Sequence, residues 1–363
     1  MDRRTLLAQA ASAASLMALA GCGMPLAAVV AEPGDLQSWP SADSRISKIA
    51  FGSCIDQTKP QPIWDAILAD KPDLFIFGGD NVYASKQPWQ LDTLQSAYQT
   101  LVTSPGFSQL RKTVPHVAIW DDHDYGLNDG GADFAHKQAS KQAFVDFWQL
   151  PANDPRRSRD GLYHALTFGP AGYRVQIILL DGRWFRSALK VTDQRNAPGK
   201  ERYVPDGDPI KTMLGKAQWQ WLEAQLRMPA DVRLIVSGVQ VIAQGHGWEG
   251  WGNFPLEQAR LLELIRHTQA NGVVLLSGDR HIGALYKHQP AGGYPLFELT
   301  SSGMTHAWAQ AEEAGPNRLG ELVTENHYAT VEVDWASRQV HLLIKSVQGR
   351  VLRRQATALA ELI

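Results

Sequence analysis

Cys54, Asp80 with Tyr83, the run Asp121-Asp122-His123-Asp124, Arg183, Gln240 and the triplet Asp279-Arg280-His281 each stand just past a short apolar run. Thiol, phenol, carboxylate, imidazole and guanidinium groups in that number make an inventory for metal and phosphate chemistry. The run from Asp121 to Asp124 puts four titratable side chains in succession on a turn. They repel one another unless a cation compensates them, although a solvated acidic loop would serve as well. Asp279 and His281 are two apart, and alternate residues of an extended segment project to one side, so both can converge on one ion. Other positions read two ways. Cys54, beside Gly52 and Ser53, is an inert buried hydrophobe or a thiolate ligand. Arg183 is a bidentate phosphate contact or a surface ion pair, and His246 is a ligand or an ordinary loop histidine.

Such tips need a scaffold that brings them together. KIAF before Cys54, LFIF (74–77), VAIW (117–120), IILL (177–180), LIVSGV (234–239) and VVLL (273–276) read as short strands, the longer runs buried on both faces inside a parallel sheet. Gly78 and Gly79 let the chain turn sharply after LFIF, and in open α/β sheets ligands bind at that end of the strands. Helical spacing joins the strands: Ile63, Trp64, Ile67 and Leu68 after Pro62; Trp89 through Leu94, Tyr98 and Leu101; then Ala143, Phe144, Phe147 and Trp148. Later come Trp219, Trp221, Leu222 and Leu226, and a helix over 256–268. Residues 162–168 and 173–180 read as strands, 199–210 as a loop, and QGHGWEGWGNFP (244–255) as a pocket wall or lid. PLFELTSSG and the runs 329–335 and 340–347 read as strands of a second sheet ending in a hairpin. The expectation is one layered α/β domain over 47–350, with two sheets between helices and a C-terminal tail over 351–363.

With 363 residues and 44% hydrophobic content the chain can bury a large core. Thirty-five basic residues against thirty-seven acidic ones leave a net charge of −2, which excludes the basic excess of a nucleic-acid binder. Arg156, Arg157 and Arg159 form a small basic cluster, a solvated loop or an attractor for anionic substrate. The N-terminus reads as an address: Arg3-Arg4 is a twin-arginine start, and the apolar run to Ala20 is too short for a membrane span. Leu19-Ala20-Gly21-Cys22 resembles a bacterial lipobox, which makes 1–22 a signal, Cys22 a lipidated membrane anchor and 23–46 a tether. Ordinary signal cleavage nearby is the alternative. Either way the chain is exported to the cell envelope or periplasm. If Cys22 is acylated or removed, Cys54 stands alone and a disulfide framework is excluded.

Taken in order, FGSC, GGDNVY, WDDHDYG, LDGR, Leu214-Gly215 with Gln218 and Trp221-Leu222, Gln240, WEGW and SGDRH resemble the PhoD-type alkaline phosphatase and phosphodiesterase family of metallophosphoesterases. The resemblance covers about residues 47–347. It implies a single-domain, four-layer α/β/β/α metallophosphoesterase sandwich and hydrolysis of phosphate mono- or diesters with Fe3+ and Ca2+. It implies Cys54, Asp80, Tyr83, Asp279 and His281 around iron, with Asp80, Asn128 and Gln240 holding calcium. Thiolate, phenolate and carboxylate donors suit a trivalent ion, and amide oxygens suit a hard cation. Asp122 and His123 would lie where phosphate and leaving group pass, His123 as acid or leaving-group stabiliser, and Arg183 would neutralise the phosphoryl oxygens. The rivals are a nucleotidase-like hydrolase loaded with Zn2+ or Mn2+ and a non-catalytic metal-binding envelope lipoprotein; Cys54 and Tyr83 argue against the zinc or manganese form. Two departures stand out. The N-terminal β-domain of larger members is lacking before the first motif, and Gly283 replaces an Arg that often follows the last His by two residues, which leaves Arg280 or Arg183 to hold phosphate.

Overall fold

The computed structural model describes residues 39–197, 200–313 and 315–363. The signal, the Cys22 anchor and residues 23–38 of the tether lie outside the described residues. The first half runs β1 (Lys48–Gly52), α1 (Ile63–Ala69), β2 (Leu74–Phe77), α2 (Leu91–Val102), α3 (Pro105–Thr113), β3 (His116–Ala118), α4 (Asp122–Tyr125) and α5 (Lys137–Phe147). The second runs β4 (His164–Phe168), β5 (Val175–Leu179), α6 (Gly215–Leu226), β6 (Val232–Ser237), α7 (Pro255–His267) and β7 (Val273–Ser277). It closes with β8 (Gly283–His288), β9 (Leu296–Ser301), β10 (His327–Asp334), β11 (Gln339–Ser346) and β12 (Val351–Ala358).

Two six-stranded sheets result, ordered β12-β11-β10-β1-β2-β3 and β4-β5-β6-β7-β9-β8. β1, β2 and β3 are parallel, as are β5, β6, β7 and β9, so their C-terminal ends gather along one edge of each sheet. The two-residue period of a strand sorts the side chains into layers. Ile177, Leu179, Leu234, Val236, Val274 and Leu276 join the core shared with the first sheet, while Ile178, Ile235 and Leu275 pack with Leu222 of α6 and Leu261 and Ile265 of α7. On the first sheet, Phe75 and Phe77 of β2 face Trp64 of α1, at 5.9 and 6.2 Å between ring centroids, and Phe77 meets Trp148 at 4.8 Å. Helices therefore cover both outer faces of a paired-sheet sandwich.

Several expectations change. β10 and β11 belong to the first sheet, because β10 pairs antiparallel with β1 from Lys48↔Glu332 to Phe51↔Ala329; of the three late runs only β9 joins the second. The expected tail is a strand: β12 pairs with β11 from Gln339↔Ala358 onward, and Leu362 is fully buried. The tether ends earlier than expected, since Ile46 is 1% exposed and Trp39 stacks on Phe168 at 6.3 Å. After a three-residue β3, the acidic tip turns into the short helix α4.

Trp64 is 1% exposed and wedged among Phe75, Phe77 and Phe107. Trp64→Ala should lower the unfolding free energy by about 3–5 kcal/mol, the usual cost of emptying such a site, as read by denaturant titration.

Candidate metal centre

Strand ends from both sheets meet at one place. Cys54 Sγ lies 3.6 Å from Asp80 Oδ2, Tyr83 Oη lies 3.5 Å from the same oxygen, and Tyr83 Oη meets His281 Nε2 at 3.0 Å. Three donor sets each fall within 4.8 Å: Cys54, Asp80 and His281; Asp80, Asp122 and His123; Asp121, Asp122 and Asp279. Asp80 belongs to the first two and Asp122 to the last two, so the sets form a continuous chain of donors. The backbone is bent to make this possible. Cys54, Asp80, Asp279 and His281 all have left-handed φ, between 50° and 69°. Strain of that kind persists only where surrounding structure holds it. Gly79 and Gly238 leave the room: a Cβ on either would come within 2.5 Å of Asp121 side-chain atoms.

The electrostatics ask for a cation. Burial, then the neighbouring Asp122 and Asp121, pushes the Asp80 carboxyl well above its usual value, and burial with Asp121 and Asp122 does the same to Asp279. Burial raises the Cys54 thiol, helped by Asp80, and raises the Tyr83 phenol, helped by Cys54. Burial also pushes Asp122 upward, but His123, Arg183 and the Asp129 N–H outweigh it and hold that carboxyl low. Buried oxygens without partners remain: Asp121 Oδ2, Asp122 Oδ1 and Gln240 Oε1. Unsatisfied buried acceptors among crowded acids are what a cation would satisfy, so these residues fit a metal centre.

The match to the PhoD-like phosphatase model runs over residues 49–349, most of the chain. This chain belongs to the PhoD-like phosphatase family. It is 26% identical over 188 residues to alkaline phosphatase D of Bacillus subtilis (strain 168), a match covering 46% of this chain and 31% of that protein, so about a third of the relative is spanned. A solved structure of PhoD is similar with a TM-score of 0.67 and 17% identity, over 89% of this chain and 70% of the other. Purple acid phosphatase PPD1 from yellow lupin follows with 0.57 and 12%, over 88% and 55%. GAP50, the anchor in the inner membrane complex of Plasmodium, has 0.54 and 13%, over 86% and 88%. At these identities the structural likenesses establish a shared α/β sandwich.

Within this family member, Cys54, Asp80, Tyr83, Asp122, His123, Asp279 and His281 come together as expected from sequence. Asn128 does not join them. It is exposed, and that segment instead offers the backbone N–H of Asp129 to Asp122 Oδ2 at 2.7 Å. Arg183 is also placed differently. Its side chain is 1% exposed, with Nε on Asp121 Oδ1 at 2.6 Å and Nη1 on Glu249 at 2.8 Å, so it compensates buried acids, while Nη2 has no partner among the described residues. Arg280 lies beside Glu313 at 3.4 Å and over Trp248 at 5.0 Å. Gly283 opens β8 in a packed position where a Cβ would sit 3.0 Å from Val323 and Ile344, so any side chain there would require those neighbours to shift. His246 joins none of the donor sets.

Sequence reasoning passed over His306, whose ring meets His281 at 4.4 Å and Tyr83 at 4.9 Å. Its Nδ1 lies 2.8 Å from Thr305 Oγ1, which also lies 3.1 Å from Cys54 O and accepts from Asp56 N at 2.8 Å, so the ring is tied to the Cys54 tip. The signal was available: β9 is parallel to β7, which makes TSSGMTH another strand tip. Arg202 and Tyr203, read as loop, both bind Asp129 Oδ2 at 2.7 Å.

Burial lifts Asp121 to about 7, against the opposing pull of Arg183, and lifts Asp124 to about 8. Unfolded carboxyls titrate near 3.9, so the folded metal-free protein binds more protons and loses stability as pH rises from about 4 to about 8, by at most about 1.4 kcal/mol per pH unit per group. The Tm of chelator-treated protein should fall across that window and flatten when Mn2+ is added. A Tm that climbs through it would contradict the charge-crowding account.

Proposed function

We propose that this chain is an exported metal-dependent hydrolase of phosphoric mono- or diesters that uses water as the nucleophile. The observation that carries the reading is the meeting of Cys54, Asp80, Tyr83 and His281 at one point. A thiol and a phenol beside a shared carboxylate suit Fe3+, and the neighbouring oxygens of Asp80 and Asp122 suit Ca2+. When bound, such ions polarise the phosphoryl oxygens and acidify the attacking water.

The chain's own residues do the rest. Asp80 Oδ1 accepts the His123 backbone N–H at 3.1 Å, which ties the shared carboxylate to the residue that handles the leaving group. The His123 ring is held by Ser85 Oγ at 2.7 Å from Nδ1 and lies 4.1 Å from the Tyr83 ring, partly exposed, and it gives a proton to the departing oxygen. Arg183 and Arg186 keep Asp121 and Glu249 neutralised so that the inner acids hold their geometry. The twin-arginine start and the Cys22 motif support export and a lipid anchor.

Purified after native export, the protein should contain iron, absorb visible light through its phenolate, and hydrolyse bis(4-nitrophenyl) phosphate or 4-nitrophenyl phosphate. Asp80→Ala and Asp279→Ala should abolish turnover, and His123→Asn should lower kcat by about 10²–10⁴-fold. A colourless protein holding zinc or manganese that still turns over identifies the nucleotidase-like alternative. A folded wild type that hydrolyses neither ester sinks the enzyme reading. Metabolic labelling with a fatty acid should mark the wild type and not Cys22→Ala.

A further inference from the structure

Asp129 belongs to none of the donor sets, yet it is held at both ends. Its side-chain Oδ2 accepts from Arg202 Nη1 and from Tyr203 Oη, each at 2.7 Å, and its carbonyl accepts from Arg186 Nη2. The backbone there is left-handed, with φ of 50°, a conformation that a residue other than glycine keeps only where its surroundings impose it. What the three donors fix is the direction of one N–H. That group donates to Asp122 Oδ2 at 2.7 Å, and Asp122 Oδ1 is left as a buried oxygen with no partner among the described residues. Asp122 contributes to two of the three donor sets, so which of its oxygens stays free bears on both. Arg202 and Tyr203 are themselves anchored. Both backbone N–H groups donate to Gly247 O at 2.8 Å, and the Arg202 guanidinium lies over the Trp248 ring at 4.9 Å.

We propose that Arg202 and Tyr203 are positioning residues that act through Asp129: by clamping its carboxylate they aim its backbone N–H at Asp122 Oδ2 and leave Asp122 Oδ1 to the cation. Neither touches the reacting atoms; they act through the orientation of one peptide group. This rests on the metal-centre reading above. Outer hydrogen bonds of this kind orient ligating carboxylates and are costly to remove.

The test uses the full chain, stripped of metal and titrated with Mn2+, with free ion counted by its paramagnetic resonance. Asp129→Gly keeps the N–H and suits a φ of 50°, so it removes only the side-chain half of the clamp. It should weaken Mn2+ binding by about 10- to 100-fold, the usual cost of losing an outer-shell partner. Tyr203→Phe, which leaves Arg202 in place, should cost about 2- to 10-fold, the worth of one hydrogen bond. Added to Asp129→Gly, Tyr203→Phe should change nothing further, because both act through the same carboxylate. A tyrosine that merely packs would cost the same factor in both backgrounds, and that result overturns the proposal, as do single variants that bind like the wild type. If Asp129→Gly fails to accumulate, Arg202→Met combined with Tyr203→Phe takes its place and must show the loss of about 10- to 100-fold. A wild type that takes up no Mn2+ overturns the metal reading itself and this inference with it, a result distinct from variants that match a binding wild type.

Discussion

Buried negative charge is the constraint that the rest of the molecule answers to. Asp80, Asp121, Asp122, Asp124 and Glu249 are almost wholly withdrawn from water, with Asp279 beside them, in a region where an uncompensated carboxylate is costly. Arg183 and Arg186 answer part of it through Asp121 and Glu249. Hydrogen bonds answer another part: Asp124 takes the Asp121 N–H at 2.7 Å and the Asn81 amide at 2.6 Å. Cys54, Asp80, Asp122, Asp279 and His281 remain, and a cation is the compensation their donor atoms suit.

The scaffold exists to hold that charge in place. Parallel strands deliver one tip after another to the same edge, and pairing two sheets face to face doubles the number of tips that can converge. The left-handed residues Cys54, Asp80, Asp279 and His281 are affordable only because the strands before them are pinned on both sides by hydrogen-bonded neighbours.

Fold and chemistry separate cleanly at this point. Similar sandwiches occur in a purple acid phosphatase and in a Plasmodium membrane-complex anchor, so the layers by themselves do not specify an activity. The chemistry lies in the side chains on the tips, where a thiol and a phenol meet one carboxylate.

Much of this was legible before any coordinates. Strands such as Leu74–Phe77 and Val273–Ser277 show themselves because burial on both faces demands unbroken apolar runs, and the polar residues that follow them mark the tips where ligands bind in such sheets. Local pattern does not carry long-range pairing. It could not tell that β10 would pair with β1, that residues 351–358 would be a strand, or that Gly283 would be packed against Val323. Nor could it show that Arg183 is claimed by two acids distant in sequence, that Asn128 turns to solvent, or that His306 closes on Tyr83. Amino-acid type and spacing determined which groups were available and roughly where the chain would turn. Which of them meet, and which are already spent on one another, depends on sheet register and on contacts between residues hundreds of positions apart, and only the folded chain decides that.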